Sequence, residues 1–335
     1  MIFLSLILVI AIIQLTDVAH FLQRDAWFVW LLKRLRSLPA ASSFPLLPMV
    51  LVILLPVALV TACVFAVGHF LSANFLFFIY VPVLLYSLGR GDFLAEINQY
   101  IAIANRGDSV AAAKWIDDMC GHAENTIRTN QTTDWKALHQ QALKVISYRG
   151  FERFFAVLFW FVPAGALGAL LYRLSVLYRE QTEPGSLEAA LADKWLWLIE
   201  FPVVRLMGVT WAFVGNFDSC PLRDSLLDTE NSSMTILNNS LRGALSAPTD
   251  LYVKPAVPTE HLTPSEAAEQ AEESAEAEQE AKENAQEVLE DLVGITLNPQ
   301  AEPAYSFALV KSSVPLYSRS LLFWIGAIAF ATLFI

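Results

Sequence analysis

The residues that could do chemistry in this 335-residue chain are charged side chains placed inside or beside long apolar stretches. Glu200 and Arg205 lie five positions apart within one such stretch. A charge near the centre of a bilayer costs at least about 2.5 to 3.5 kcal/mol, so we expect both side chains to face other helices. The candidate set is completed by charges at the two ends of a neighbouring apolar stretch: Arg149, Glu152, Arg153 and Arg173.

Two interpretations of these six residues are open. In the first, Arg173 and Arg205 line a polar cavity for an anionic ligand, and Glu200 or Glu152 balances their charge. In the second, the same side chains form internal salt bridges, and long side chains at the ends of the apolar stretches reach the membrane surface as anchors. The first interpretation predicts a ligand-binding site, whereas the second predicts a stabilised helical bundle without one.

Motifs for other chemistry are missing from the sequence. The glycines at Gly89 and Gly91 have no GxGxxG or GxxxxGK[ST] continuation, and there is no HExxH. The five histidines lie in separate segments, and the three cysteines are isolated from one another and from histidine. We therefore predict no catalytic residue, no metal and no cofactor, and we predict reduced thiols, as is usual where soluble parts face the cytosol.

The composition shows what surrounds the candidate charges. Hydrophobic residues make up 55% of the chain and charged residues 16%, below the roughly 25% typical of soluble domains. The net charge of -11 is confined to residues 260–291, which contain twelve acids and one base, and the remainder has 21 acids and 21 bases. A neutral, apolar body excludes nucleic-acid binding through a basic surface and indicates a protein whose partner is the lipid bilayer.

Six apolar segments are predicted to cross the membrane. No Asp, Glu, Lys or Arg occurs in residues 37–89, and this stretch is long enough for two spanning helices. Residues 1–16 lack the basic start and the cleavage site of a secretory signal, so we read them as an uncleaved anchor that either spans the bilayer or lies at its surface. The six predicted spans are residues 1–16, 46–68, 75–88, 154–172, 195–217 and 320–335.

The distribution of Lys and Arg predicts the orientation of these spans. Alternating crossings place the bases of residues 24–36, 90–153 and 223–319 on one side, which gives 18 bases there against three at residues 173–194. Because Lys and Arg resist translocation, the heavier side is predicted to be cytoplasmic. Both termini would then lie outside, and the acidic segment inside.

The polar regions between the spans differ in character. Residues 89–153 carry helical patterns in three stretches and are predicted to form a cytoplasmic helical hairpin under the bundle. Residues 220–319 are predicted to be a cytoplasmic linker whose acidic insert, residues 260–291, is disordered or partly helical. The predicted organisation is therefore spans in residues 1–88, the hairpin, spans in residues 154–219, the linker, and a last span in residues 320–335.

Three sequence segments carry a resemblance to a known family. They are LYSLGRGDFLAEINQYIAIANRGDSVAAAKW, RGFERFFAVLFWFVPAGALGALLYRLSVLYRE and WLWLIEFPVVRLMGVTWAFVGNF. They resemble the AmpE family, inner-membrane proteins associated with β-lactamase induction, over residues 1–220 and again at the last span. More distantly, the chain resembles the CobD/CbiB family of membrane-bound amide-forming synthetases in cobalamin biosynthesis.

The synthetase pattern is kept only in part. Where that family has a run of the form E-x-x-x-E-N-x-x-D, this chain has Lys144, Tyr148, Arg149 and Glu152 at the matching positions. An amide synthesis with a phosphate leaving group would need carboxylates to hold Mg²⁺ and an amine, and Glu152 alone is a carboxylate here. The resemblance therefore implies that the scaffold is retained without the metal site.

Together these observations predict an all-α, polytopic helical bundle of the bacterial inner membrane. The AmpE resemblance implies a non-catalytic sensor or signalling component linked to β-lactamase induction and cell-wall status. We expect its ligand to be anionic, either cell-wall-related or nucleotide-linked, bound near Arg173, Glu200 and Arg205, with the 89–153 hairpin reporting occupancy. The alternatives are a membrane-bound amide synthetase and a scaffold that recruits protein partners through the hairpin and the acidic insert.

Overall fold

The described part of the chain is all-α in a computed structural model. It comprises residues 5–9, 12, 25–37, 46–70, 73–88, 93–120, 134–217, 219–220, 231–245 and 302–332, and no strand occurs among them. This confirms the predicted fold class. The acidic insert and most of the predicted first span lie outside the described residues, although residues 5–9 are helical.

Ten helices of eleven or more residues follow one another along the described chain. They are α1 (Ala26–Arg36), α2 (Leu46–Phe70), α3 (Phe77–Ser87), α4 (Phe93–Asn105), α5 (Ser109–Cys120), α6 (Trp135–Gly150), α7 (Ala156–Glu180), α8 (Leu187–Val214), α9 (Ser233–Ala244) and α10 (Glu302–Thr332). A 3₁₀ turn, Ala73–Leu76, precedes α3, and a π-helical segment, Phe151–Phe155, joins α6 to α7.

Four helical stretches are long and apolar enough to cross a membrane. They are Leu46–Phe70, Trp135–Glu180, Leu187–Val214 and Ala304–Phe330. Leu46–Phe70 and Trp135–Glu180 each contain a predicted span, and Leu187–Val214 and Ala304–Phe330 each overlap one. The second of the predicted pair in residues 37–89 is shorter than expected, because α3 has only eleven residues. The last helix also begins earlier than predicted, since its first turns pack against α6 and need no lipid around them.

Within the predicted helical hairpin of residues 89–153, the described residues form three helices, α4, α5 and α6. Gly107 makes the turn between α4 and α5 with φ +73°, in the left-handed region that favours glycine. Asp108 accepts a hydrogen bond from the backbone N–H of Ala111, and Asp134 accepts one from that of Lys136, so each caps the helix that follows. These side-chain caps explain why the helices begin where the sequence indicates.

The chain turns back on itself at Gly165, in the middle of the predicted span 154–172. Gly165 has φ +60° and ψ -147°, which are not helical and which favour glycine. Glu152 and Arg179 form an ion pair at 2.8 Å although they are 27 residues apart, a separation of about 40 Å in a continuous helix. We call residues 135–180 the Gly165 hairpin, with α6 and the start of α7 as its first arm and residues 166–180 as its second.

Small residues let the two arms of the Gly165 hairpin approach closely. A β-carbon on Gly168 would overlap the backbone carbonyl of Trp160, and Ala166 and Ala169 are fully buried. This agrees with the sequence, in which the run from Ala164 to Ala169 is typical of a close helix–helix contact.

The reversal corrects the predicted alternation of the spans. Arg149 contacts Glu180, and Arg36 donates to Glu188 at 2.6 Å, so the segments on both sides of the Gly165 hairpin lie at the same end of the bundle as the end of α1. Alternation would have placed Arg36 and Glu188 on opposite sides of the membrane. The predicted alternation is wrong because residues 154–172, which carry no charge, do not cross the membrane as one straight helix.

The described residues pack around two hydrophobic cores. The larger core lies between the Gly165 hairpin, α3, α8, α9 and α10, and it extends to α4 and α5. The smaller core joins α1 and the first turns of α2 to the second arm of the Gly165 hairpin. Polar side chains that lie between these packed elements are therefore removed from water.

The three cysteines carry reduced thiols, as the sequence predicts. Cys63 is exposed on α2, and Cys120 and Cys220 are buried. Burial raises the pKa of the Cys220 thiol to about 11, so this thiol stays protonated at neutral pH, and it contacts the carbonyl oxygen of Ser240. Burial and this contact are consistent with a packing role for Cys220.

Candidate functional site

A buried ion cluster lies where the two arms of the Gly165 hairpin meet the α4–α5 hairpin. Glu152 accepts hydrogen bonds from Arg149 at 2.7 Å and from Arg179 at 2.8 Å, one on each carboxylate oxygen. All three residues are at most 6% exposed. One carboxylate therefore joins cations from both arms of the hairpin.

Tyrosine hydroxyls extend this cluster to α8. Arg179 donates to the hydroxyl of Tyr148 at 2.6 Å, and that hydroxyl donates to Glu200 at 2.8 Å. The hydroxyl of Tyr172 donates to the same oxygen of Glu200 at 3.0 Å, and Ser233 at the start of α9 also hydrogen-bonds to this carboxylate. We call Tyr148, Arg149, Glu152, Tyr172, Arg179 and Glu200 the buried polar network.

Arg149 connects the buried polar network to the α4–α5 hairpin. Its Nε donates to the carbonyl of Met119 at 2.6 Å, and its Nη2 donates to the carbonyl of Cys120 at 3.0 Å. These carbonyls belong to the last turn of α5, whose carbonyl groups lack helical partners and carry partial negative charge. Arg149 thereby satisfies the end of one helix while it pairs with Glu152.

The π-helical segment places Glu152 for these contacts. Phe151 and Phe155, which flank Glu152 in that segment, are both buried in the larger core, so the widened turn is held by packing. Single π-helical turns inside α-helices are frequent at functional sites. Here the turn occurs where one carboxylate must face two guanidinium groups on different sides.

The other three predicted site residues lie at the margin of this network. Arg153 pairs with Glu96 on α4. Arg173 contacts Asp25 at 3.4 Å, and Asp25 also accepts a hydrogen bond from Tyr86. Arg205 donates to the carbonyl of Phe201 and lies over its ring at 3.3 Å.

The structure thus brings together only part of the predicted set. Arg149, Glu152 and Glu200 belong to one network, whereas Arg173 contacts Asp25, the residue before α1, and Arg205 contacts its own helix. The buried Nε atoms of Arg173 and Arg179 have no hydrogen-bond partner among the described residues. These two N–H groups are donors that an anionic group could use.

Arg179 is the main residue that sequence reasoning left out of the site. It follows the predicted span and looks like a charge at the membrane surface, because its distance in sequence from Glu152 gives no reason to join them. Pro163 and Gly165 were the available signals, since together they favour a break in the helix that would return Arg179 to Glu152. Tyr148 and Tyr172 gave no such signal in the sequence.

The donor set of the site consists of guanidinium groups, hydroxyls and carboxylates that already contact one another. Among the described residues, no group of three or more His, Cys, Asp or Glu side chains is placed to hold a metal ion. This arrangement can couple helices to one another. A change in the charge or position of one side chain in the network alters the hydrogen bonds of the others, which lie on or contact α5, α6, the second arm, α8 and α9.

Comparison with known proteins points to one family. The family model described as regulatory signalling modulator protein AmpE matches residues 1–246. No curated protein and no solved structure matches the chain. The matched region contains every member of the buried polar network and ends before the acidic insert of residues 260–291.

Proposed function

The chain belongs to the AmpE family of regulatory signalling modulator proteins, and on that premise we propose that it regulates β-lactamase induction from the bacterial inner membrane. A regulatory role follows from the family, and a membrane protein follows from the four apolar helical stretches. The link to β-lactamase and to cell-wall status, and a multi-pass arrangement in the inner membrane, are the finer parts of the proposal.

The observation that carries the proposal is the buried polar network. Charged groups are seldom buried for stability alone, because desolvation offsets most of their attraction and apolar residues of similar size often serve as well. A network of this kind holds one arrangement only while all its members keep their partners. It is therefore suited to a protein whose helices must change position together when a signal arrives.

The proposed input is an anionic ligand, cell-wall-related or nucleotide-linked, that binds near Arg173, Glu200 and Arg205. Arg173 supports this because its contact with Asp25 is long, at 3.4 Å, and its buried Nε is available as a donor. An anion that drew Arg173 away from Asp25 would also change the field at Glu152, since this arginine lies close enough to interact with that carboxylate.

The proposed output is the α4–α5 hairpin. Arg149 holds the last turn of α5 through two backbone carbonyls, and Arg153 pairs with Glu96 on α4. Both arginines lie within three residues of Glu152, so a rearrangement of the network would reach both helices directly. A surface that changes in this way can be read by a protein partner.

Charge-neutral variants test this proposal in a strain that lacks its own copy of the protein. We expect Arg173→Gln and Arg205→Gln to alter β-lactamase induction by a β-lactam at equal amounts of membrane-inserted protein. Lys194→Gln, at an exposed position on α8 outside both the ligand site and the α4–α5 hairpin, is the matched control and should behave as wild type. Unchanged induction in both test variants would contradict the ligand site.

A second strain, deficient in the amide-forming step of cobalamin biosynthesis, separates regulation from catalysis. The regulatory proposal predicts that the wild-type protein does not restore cobinamide amidation there. Restored amidation would show that this scaffold is an enzyme and would overturn the proposal.

A further inference from the structure

The outward side of α1 carries two tryptophans and two cations. Trp27 is 39% exposed and Trp30 is 68% exposed, and Lys33 and Arg34 are exposed as well. Trp27, Trp30 and Arg34 are spaced three and four residues apart, which aligns them along one side of a helix, with Lys33 adjacent. We call these four residues the α1 outer face.

The opposite side of α1 is fixed against a membrane helix. Phe28 and Leu32 are at most 1% exposed and belong to the smaller core with Val52 and Ile53 of α2. Beside this contact, α2 itself exposes Leu46, Val50 and Leu54. The α1 outer face is therefore continuous with an apolar surface that suits lipid.

Contacts at both ends of α1 hold it in this orientation. Arg36 donates to Glu188 at 2.6 Å and to the carbonyl of Gln181 at 3.2 Å. Asp25, which precedes the helix, accepts from Tyr86 and Arg173. Lys33 and Arg34, in contrast, form no ion pair with any described residue.

We infer that the α1 outer face binds the headgroup of an anionic phospholipid in the leaflet where α2 begins. Trp side chains are enriched at the level of the headgroups, where the ring meets apolar chains on one side and water on the other. Lys and Arg at that level attract anionic lipids, and a helix with an apolar inner side can lie in the interface. Two exposed cations that form no ion pair within the described part of the chain, beside two exposed tryptophans, fit a lipid better than a protein, because the neighbouring surface of α2 is apolar and exposed.

Lipid retention by the full-length protein tests this inference. The protein is reconstituted into nanodiscs of phosphatidylcholine with a minor fraction of phosphatidylglycerol, and the lipids retained after transfer to detergent are counted by native mass spectrometry. The test variant is Lys33→Gln with Arg34→Gln. The matched control is Arg106→Gln with Lys114→Gln, which removes the same two charges from the α4–α5 hairpin.

We expect the wild type and the control to retain phosphatidylglycerol selectively, and the test variant to bind it roughly 10- to 30-fold more weakly. Trp30→Ala should also reduce retention, because it removes the contact with the acyl-chain boundary. Melting temperatures in pure phosphatidylcholine should be equal for all variants, since these side chains are exposed.

Three outcomes would overturn the inference. Equal retention of phosphatidylglycerol by the test variant and the wild type would show that Lys33 and Arg34 do not bind the headgroup. An equal loss of retained phosphatidylglycerol in the test and control variants would show that retention depends on the net charge of the protein and not on the α1 outer face. Displacement of the lipid by soluble glycerol phosphate at matched concentration would show a site for free phosphate instead of a lipid surface.

Discussion

Glu152 shows at the scale of one residue why the buried polar network is sensitive to small changes. Each of its carboxylate oxygens accepts from a different arginine, so the negative charge is shared between Arg149 and Arg179. Neither arginine can recover its hydration, because both are buried. Removing the shared charge would therefore leave two buried cations short of a partner.

The first prediction is that Glu152→Gln destabilises the protein by about 3 to 5 kcal/mol, as is usual when one partner of a buried ion pair is lost. The control is Glu180→Gln, because Glu180 also contacts Arg149 but at 3.4 Å and with its side chain 29% exposed. Loss of such a partly exposed pair should cost about 1 kcal/mol or less. Thermal unfolding in a mild detergent, followed by circular dichroism, measures both.

Equal melting temperatures for these two variants would contradict the view that Glu152 is the shared partner of two arginines. A larger loss of stability for Glu180→Gln than for Glu152→Gln would mean that Glu180 is the main ion-pair partner of Arg149.

At the scale of elements, the apolar helices were predictable and their path was not. A stretch without charges, such as residues 37–89, must leave water, so its length and apolarity predict membrane helices directly. The same criterion gave a wrong path for residues 154–172, because an uncharged sequence is equally compatible with a helix that continues and with one that turns back. The break depends on one glycine, Gly165, whose φ of +60° is a property of the fold.

The candidate site was likewise predictable in part: its charged residues could be found from the sequence, but the contacts between them could not. Charges next to apolar stretches pointed to Arg149, Glu152 and Glu200, because a buried charge needs partners wherever the helices go. Arg179 could not be joined to them without the reversal at Gly165. Arg173 and Arg205 were expected to face one cavity, but the direction of a side chain around a helix depends on neighbours that the sequence does not show.

The second prediction concerns the contact between the arms of the Gly165 hairpin. A methyl group at Gly168 would overlap the carbonyl of Trp160, which belongs to the backbone and cannot rotate away, so Gly168→Ala must push the arms apart. Gly326→Ala is the matched control, because Gly326 is also within an apolar helix and has nothing within 4 Å of the added carbon. We expect Gly168→Ala to cost about 1 to 3 kcal/mol and Gly326→Ala to be neutral or slightly stabilising.

Thermal unfolding of the two glycine variants in the same detergent checks this prediction. If Gly168→Ala melts at the temperature of the wild type, the arms are not in close contact and the hairpin must be wider than described.

For the whole molecule, the reversal decides which surfaces lie together. The arm from the turn at Gly165 to Glu152 has about 13 residues and measures roughly 20 Å, less than the roughly 30 Å of a bilayer core. A hairpin of that depth can enter a membrane and leave on the side from which it came. The ends of α1, the first arm and the second arm then share one side, as the pairing of Arg36 with Glu188 requires.

The third prediction is that Lys114 on α5 and Glu183 after α7 are accessible from the same side of the membrane. Single cysteines are introduced at these exposed positions in a chain whose three native cysteines are replaced. The control is His69→Cys, because α2 is long enough to carry its exposed end to the other side. A membrane-impermeant maleimide added to intact spheroplasts should label His69→Cys alone, and permeabilised spheroplasts should label all three.

Labelling of Glu183→Cys in intact spheroplasts, with Lys114→Cys still protected, would show that the chain crosses the membrane between them. That result is incompatible with ion pairs joining Glu152 to Arg179 and Arg149 to Glu180, because those pairs fix the two arms at one end. Protection of both positions would place the buried polar network on the cytoplasmic side. A regulatory change in that network would then be passed directly to partners in the cytoplasm.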